Sequence, residues 1–179
     1  MRTQGYRTIR WIPALLTLSL LGFAGTGPGE TTAVASRDGA SRLLLPAGWK
    51  VRPHLNDAAD LQVASVKNNC YLIVLSEKKA GLGILSLEEH SRFGRETVLQ
   101  GLENGVESAG PIYLEIDARP AVQYELRGRI SGLKVAYLHT TVEGIDSYHQ
   151  IVAWTTQSRF EKNRAAIESV IESFMEAGS

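Results

Sequence analysis

CYLIVLSE, residues Cys70–Glu77, is an almost continuous apolar segment near the middle of the chain. A strand without a polar face is usually covered on both sides, so this pattern predicts a strand near the centre of a sheet. The preceding segment, Leu61–Asn68, predicts a second strand. Asn68-Asn69 suits the turn between them, because asparagine tolerates a left-handed backbone. The pattern therefore predicts a β-hairpin whose second arm is buried on both faces.

Apolar and polar residues then alternate from residue 122 to residue 130, which is the period of a half-exposed strand. Ser131-Gly132 can make a two-residue turn into another strand at Leu133–Val142. That turn places Tyr124 opposite His139 on the neighbouring strand. A further strand at Tyr148–Thr155 completes a predicted antiparallel meander.

Capping boxes predict the starts of two helices. Ser86-Leu87-Glu88-Glu89 has the required spacing of serine and glutamate, and the helix that follows is expected to end near Gly105. Ser158–Glu161 has the same form and predicts the start of the last helix. A short strand is predicted at Ile112–Ile116. The buried stripe predicted for the last helix is Phe160, Ile167, Val170, Ile171 and Phe174.

The N-terminal residues have the pattern of a secretory signal. Three arginines precede Ile12–Ala24, an uncharged apolar segment of 13 residues. A membrane-spanning helix needs about 20 apolar residues, so export with cleavage is expected rather than anchoring. Ala33-Val34-Ala35 is the predicted cleavage pattern, and Gly22-Phe23-Ala24 is a possible earlier one. We therefore expect residues 1–35 to be a signal peptide, with no cysteine directly after it to accept a lipid.

LLLPAGWKV, residues Leu43–Val51, marks the predicted start of the folded domain. Proline and glycine end the short strand and make a turn, and Trp49 is expected to fold back as a large apolar cap. Residues 36–41 are rich in small and polar side chains without an apolar period, so they are expected to be a flexible leader. Residues 42–176 are then one domain.

The chain has 179 residues, which is enough for one domain with its own core. Its 19 basic and 19 acidic residues cancel, so no field that would capture nucleic acid is expected. Cys70 is the single cysteine and is expected to be buried and inert.

The sequence predicts no cofactor, metal or catalytic residue. With a four-residue loop after Val142, His139 pairs with Gln150 and points away from His149, so the two imidazoles would not share a metal. A three-residue loop would instead bring them together. The glycines at Gly81-Leu82-Gly83 lack the third glycine of a dinucleotide-binding loop. No GxSxG motif is present, and burial makes Cys70 a poor nucleophile.

One polar surface of the predicted meander is a candidate for binding a protein partner. Arg129 and Lys134 face each other across its turn, and the surface is either a solvated sheet face or a charged docking face. Its residues are Gln123, Glu125, Arg127, Arg129 and Lys134.

The order of LPAGWKV, the hairpin, SLEEH, the segment DARPAVQYELRGRISGLKVAYLHTTVEGIDSYHQIVAW and the closing ESFME resembles the PsbP-like family. That family includes the extrinsic PsbP proteins of photosystem II, DcrB-type periplasmic proteins and small Ran-binding nuclear proteins. The resemblance implies an antiparallel β-sheet flanked by helices on both faces, an α/β/α sandwich. It also implies a non-enzymatic accessory role in which the protein docks to a protein complex, and it assigns no functional residue.

We therefore expect an exported, periplasmic or extracellular accessory factor that binds an unknown protein partner in the cell envelope, without a stable membrane span, nucleic acid or cofactor. Two alternatives remain open. A small-ligand or lipid carrier requires an enclosed apolar pocket. A hydrolase with an unrecognised site requires a cleft with ionisable groups whose pKa values are shifted.

Overall fold

The computed structural model describes residues 31–83 and 85–177. These residues form ten β-strands and two α-helices. The strands are β1 (Thr32–Ala35), β2 (Ser41–Leu45), β3 (Lys50–Val51), β4 (Leu61–Ser65), β5 (Cys70–Lys78), β6 (Glu103–Ile116), β7 (Arg119–Ile130), β8 (Leu133–Glu143), β9 (Ser147–Thr156) and β10 (Met175–Glu176). The helices are α1 (Leu87–Gln100) and α2 (Gln157–Glu172).

The strands of the described residues make two sheets, and every strand pair is antiparallel. The large sheet has seven strands in the order β3-β4-β5-β9-β8-β7-β6, and the small sheet has the order β1-β2-β10. Strands β6 to β9 form the predicted meander. The apolar strand β5 lies inside the large sheet between β4 and β9, as its pattern predicts.

Successive residues of β5 pack into different hydrophobic clusters. Leu72 belongs to the cluster that includes Phe160 of α2, whereas Ile73 belongs to the cluster that includes Val98 of α1. Alternate side chains of a strand point to opposite faces, so both faces of β5 are buried. The predicted antiparallel sheet is confirmed. The finer arrangement, an α/β/α sandwich, stays a prediction; the described residues contain two α-helices, α1 and α2.

The folded part begins earlier than predicted. Residues 32–35, placed in the signal peptide by the sequence, form β1 and pair with β2. Residues 36–41, predicted as a flexible leader, make a turn in which the Ser36 N–H donates to the Ser41 carbonyl over 2.8 Å. The Asp38 carboxylate accepts from the Ser36 hydroxyl at 2.7 Å. The apolar segment Ile12–Ala24 lies outside the described residues.

The segment after β2 folds as the sequence predicts. The Trp49 N–H donates to the Pro46 carbonyl over 3.1 Å, and Gly48 has a φ of 91°, which glycine adopts without strain. This turn directs Trp49 into the cluster that contains Leu43 of β2 and Leu61 of β4. Trp49 is 7% exposed. Because its cluster contains residues of both sheets, Trp49 helps to join the small sheet to the large one.

The helix starts follow the sequence in one case and differ in the other. At α1, the Ser86 hydroxyl accepts from the Glu89 N–H at 3.2 Å, and the Glu89 carboxylate accepts from the Ser86 N–H at 2.9 Å. This is the predicted capping box. The box predicted at Ser158–Glu161 is wrong, because α2 begins at Gln157 with Thr156 as an N-cap that makes no side-chain bond. The helix α1 ends at Gln100 rather than near Gly105, and β6 then begins at Glu103.

The registers of the meander agree with the sequence at its first hairpin. Tyr124 pairs with His139, and Arg129 pairs with Lys134, because the turn at Ser131-Gly132 has two residues. At the next hairpin, His139 pairs with Val152 and not with the predicted Gln150. The strand β8 continues through Glu143, whose carboxylate lies 2.9 Å from the Lys79 ammonium. The last pair of this hairpin is Glu143 with Tyr148, and each pair is shifted by two residues from the predicted register.

Candidate functional site

Three large apolar side chains of the meander that are exposed to solvent lie on β6. This strand is at the edge of the large sheet, with no strand on its outer side among the described residues. Tyr113 is 62% exposed and Ile112 is 50% exposed, and Val106 is also largely exposed. Edge strands are the places where another chain can add a strand, so β6 is a candidate surface for binding a protein.

Only the second half of β6 is regular. Its pairing with β7 has register shifts between Glu103 and Ile112, and Pro111 in that part has no N–H to offer. From Ile112 to Ile116 the pairing runs without a shift. Bulges and proline resist association at an edge, so the available edge is the five-residue segment Ile112–Ile116. We call this segment the β6 edge.

The backbone of the β6 edge presents hydrogen-bonding groups outward. Ile116 pairs with Arg119 beside a two-residue turn, and the closing pair of such a hairpin is hydrogen-bonded. Hydrogen-bonded pairs alternate, so the next pair, Glu115 with Pro120, is a non-bonded one, which agrees with the missing N–H of proline. The N–H and C=O groups of Tyr113 and Glu115 therefore point away from β7.

The predicted charged docking face is not exposed as a unit. Gln123 and Glu125 are buried, Arg127 is half-buried, and only Arg129 and Lys134 are exposed. The Gln123 amide donates to the Thr140 hydroxyl at 2.9 Å. The structure therefore does not bring the five residues together as one surface, and the expectation of a half-exposed strand at β7 is wrong.

Glu125 is buried because its carboxylate has partners from three segments. It accepts hydrogen bonds from Arg164 of α2, from Arg127 at 2.7 Å and from the Ser108 hydroxyl at 2.8 Å. Burial alone would raise the pKa of the Glu125 carboxyl, but these three hydrogen bonds and the charge of Arg127 lower it below its ordinary value. The group is an anion that fastens α2 to β7.

The two histidines of the meander lie on opposite faces, as predicted, because a shift of two residues keeps each side chain on its face. His139 is 0% exposed, and its Nε2 lies 3.2 Å from the Gln150 amide oxygen. Burial lowers the pKa of His139 to about 4, and the hydrogen bond to Gln150 only partly opposes that effect. The described residues contain no group of His, Cys, Asp and Glu side chains that could hold a metal ion.

Cys70 is buried in the same cluster as Trp49. Burial raises the pKa of its thiol, since the thiolate would lose its hydration. The prediction that Cys70 is buried is confirmed.

A polar cleft of about 250 Å³ lies where the end of β5 and the start of β9 meet the small sheet. We call it the polar cleft. Strand β5 contributes Ser76 and β9 contributes His149, while β10 contributes Glu176. The charged side chains that line the cleft are Asp38, Asp60, Lys78, Asp146 and Glu176.

Three side chains of the polar cleft form a hydrogen-bonded chain. The Ser76 Oγ lies 2.9 Å from His149 Nδ1, and His149 Nε2 lies 3.2 Å from Glu176 Oε1. Ser76 and His149 are direct cross-strand neighbours in the β5-β9 register. Burial lowers the pKa of the His149 imidazole, although Glu176 partly opposes this effect. The cleft therefore joins a hydroxyl, a neutral imidazole and a carboxylate in series.

Glu176 is held in place by further donors. The Ile145 N–H donates to its Oε2 at 2.9 Å, and the Arg119 Nε lies 3.1 Å from the same oxygen. Burial would raise the pKa of the Glu176 carboxyl, but the hydrogen bonds from Ile145 and His149 and the nearby charges lower it. Glu176 is thus a fixed carboxylate behind His149.

The sequence analysis did not predict this series of hydrogen bonds, because the three residues that form it are far apart in the sequence. Ser76 and His149 are separated by 73 positions, and Glu176 follows His149 by 27. The available signal is that Ser76 is the first hydroxyl after the apolar part of CYLIVLSE, which places a polar group at the end of a buried strand.

None of the helices formed by the described residues is long and apolar enough to cross a membrane.

Several solved structures have a similar fold, among them the three that follow. Cyanobacterial PsbP (CyanoP) from Synechocystis sp. PCC 6803 has a TM-score of 0.60 at 15% identity, over 88% of this chain and 98% of that chain. LpqN of Mycobacterium tuberculosis, described as involved in cell envelope biogenesis, has a TM-score of 0.60 at 15% identity, over 82% and 90%. The Ran-binding protein Mog1p of Saccharomyces cerevisiae has a TM-score of 0.55 at 10% identity, over 82% and 95%.

No protein-family model matches the chain, and no curated protein matches it by sequence. At the identities of the solved structures, the likeness shows the fold alone. The chain has a PsbP-like fold, mostly antiparallel sheet with two helices in its described residues, as the resemblance in its sequence predicts.

Proposed function

We propose that the protein is an exported accessory factor that binds a protein partner through the β6 edge. The observation that carries this proposal is the exposure of apolar side chains beside outward-facing backbone groups on the same short segment. Hydrogen bonds from such an edge supply affinity, and the flanking side chains supply specificity. The fold adds support, because one similar protein is described as Ran-binding and another as involved in cell envelope biogenesis.

The proposed partner offers an extended segment that pairs with the β6 edge as an added strand. Ile112 and Tyr113 supply apolar contacts, and Glu115 adds an exposed carboxylate at the end of the segment. A matching partner strand therefore carries apolar residues and a basic residue, because complementary charges select between partners.

Capture of proteins from the native cell envelope tests the docking role. Tyr113→Lys places a like charge against the basic partner segment and removes an aromatic contact, so loss of the captured partner by at least about tenfold is expected. Val51→Lys is the matched control, because Val51 is 58% exposed on β3 at the opposite edge of the large sheet. Equal capture by both variants, or no specific protein captured by the parent, would contradict the proposal.

The proposed export rests on the basic residues and the uncharged segment at the N-terminus. Of the two predicted cleavage patterns, the one ending at Ala24 keeps β1, whereas cleavage after Ala35 removes it. β1 pairs with β2 over four residues, so we infer that the cleavage follows Ala24.

Mass spectrometry of the exported protein, purified from the periplasm or medium, checks this inference. The mature chain is expected to begin at Gly25, because that product retains the β1-β2 pairing. A mature chain beginning at Ser36 would contradict the assignment, and retention of Met1 in the envelope fraction would contradict cleavage.

The small-ligand or lipid carrier has less support. The polar cleft of the described residues is lined by charged side chains from several elements, including Asp38, Asp60 and Lys78. A lipid-binding pocket is enclosed and mostly apolar. The composition of this cleft favours a charged ligand over an apolar lipid chain.

A further inference from the structure

We propose that the polar cleft is an acyl-transfer site in which Ser76 is the nucleophile and His149 is the general base. This activity goes beyond the docking role and does not depend on it, because the residues that line the cleft lie on β5, β9, β10 and the neighbouring loops, and none of them lies on β6. The hydrolase alternative requires a cleft whose ionisable groups have pKa values shifted by their surroundings, and the polar cleft meets this requirement.

The hydrogen-bond directions suit this chemistry. Glu176 is a carboxylate and can only accept, so His149 Nε2 carries the hydrogen that it donates over 3.2 Å. The neutral imidazole then has its lone pair on Nδ1, which accepts the Ser76 hydroxyl hydrogen over 2.9 Å. A hydroxyl that donates to a fixed imidazole is the arrangement that activates serine in acyl transfer.

The burial of the three groups also suits their roles. Ser76 is half-buried and lines the cleft, whereas His149 is 1% exposed behind it. The nucleophile is therefore accessible to a substrate while the base is shielded from bulk water. Glu176 touches His149 and not the cleft's reacting atoms, so it is a positioning residue that fixes the tautomer and the orientation of the ring.

The reaction follows from this geometry. Ser76 Oγ forms a bond to the carbonyl carbon of an ester as its proton passes to His149 Nδ1. The bond to the alcohol oxygen then breaks, and that oxygen takes the proton from Nδ1, which leaves an ester on Ser76. A water molecule then attacks in the same way: its proton passes to Nδ1 and its oxygen bonds to the acyl carbon. The bond to Ser76 Oγ breaks, Oγ takes the proton from Nδ1, and a carboxylic acid is released.

The lining charges indicate the class of ester. Three aspartates and Glu176 line the cleft together with a single lysine, Lys78. Arg119 offsets the charge of Glu176, which leaves an excess of negative charge around the opening. Such a cleft concentrates cations, so the assigned substrate is an ester whose acyl chain carries an ammonium group.

Labelling with a fluorophosphonate tests the nucleophile. Ser76 Oγ forms a bond to phosphorus, fluoride leaves, and the proton passes to His149 Nδ1. Peptide mapping by mass spectrometry is expected to place the adduct on Ser76 in the parent and in the control Ser158→Ala, whose substituted serine is exposed at the start of α2. Ser76→Ala, with its fold checked by circular dichroism, is expected to lose the adduct. Absence of an adduct on Ser76, or labelling of Ser76→Ala equal to the parent, would overturn the site.

The pH profile of labelling tests Glu176. The labelling rate falls as His149 becomes protonated, and the Glu176 carboxylate favours the protonated imidazole. Glu176→Gln is therefore expected to move this acidic limb to lower pH, an effect that loss of stability alone does not produce. An unchanged limb in a folded Glu176→Gln protein would contradict the positioning role.

Three p-nitrophenyl esters of matched length test the substrate class. Hydrolysis is expected to be fastest for the 6-aminohexanoate ester, slower for hexanoate and slowest for adipate, with at least about a tenfold span from electrostatic attraction and repulsion. An adipate ester hydrolysed fastest would overturn the cationic substrate class. Tyr113→Lys is expected to label like the parent, so failure of the docking proposal and failure of this site can be told apart.

Discussion

Replacement of Trp49 by alanine is expected to lower the free energy of unfolding by about 3–5 kcal/mol. Trp49 is 7% exposed in the cluster that joins β2 to the large sheet, so the substitution leaves a cavity where the small sheet is attached. The loss combines the hydrophobic contribution of the indole with the cost of the unfilled space.

Denaturation by urea, followed by circular dichroism, measures this effect. Val51→Ala is the control, because Val51 lies two positions further along and is 58% exposed. Its change is expected to stay within about 0.5 kcal/mol, as for most surface substitutions. A Trp49→Ala protein as stable as its parent would show that the segment LLLPAGWKV is not part of the core.

Acidification is expected to destabilise the protein through His139. Burial lowers the pKa of His139 to about 4 in the folded state, against an ordinary value of 6.5. The unfolded chain therefore binds a proton at a higher pH than the folded chain does. The contribution of His139 to stability is complete above about pH 6.5 and is lost as the pH falls toward 4, a decrease of about 3 kcal/mol.

Two cationic groups near His139 lower its pKa further, whereas the hydrogen bond to Gln150 raises it. His90 and Arg95 of α1 both lower its pKa, because a positive charge disfavours a second one. His139→Gln removes the titrating group while keeping a polar side chain beside Gln150. Urea denaturation at pH 7 and at pH 4.5 is expected to show a smaller loss of stability for this variant than for the parent. His54→Gln, at an exposed histidine, is the control, and an unchanged pH dependence in His139→Gln would contradict the account.

Local patterns in the sequence predict those parts of the fold that local interactions determine. The apolar run in β5, the capping box at Ser86 and the two-residue turn at Ser131-Gly132 each depend on residues a few positions apart. β1 was missed because its small and polar residues have no apolar period, and the strand forms by pairing with β2. Its neighbour β10, on the other side of β2, comes from the far end of the chain.

The candidate sites depend on contacts between residues that are distant in the sequence. The alternation of apolar and polar residues along a strand does not reveal such contacts. Glu125 has the spacing of an exposed residue, yet Arg164 covers it from a helix 39 positions away. Gln123 is also buried, and its amide donates a hydrogen bond to the Thr140 hydroxyl on β8. The exposed surface was consequently predicted on β7, whereas the structure places exposed apolar residues on the edge strand β6.

The docking proposal is tested most directly by photo-crosslinking in the cells that make the protein. A benzophenone amino acid in place of Tyr113 lies on the β6 edge, and the same residue in place of Val51 lies on the opposite edge with similar exposure. One specific crosslinked protein is expected from position 113, with the crosslink mapping to an extended segment of that protein, and none is expected from position 51. Absence of a crosslink at position 113, or the same product from both positions, would contradict docking through β6.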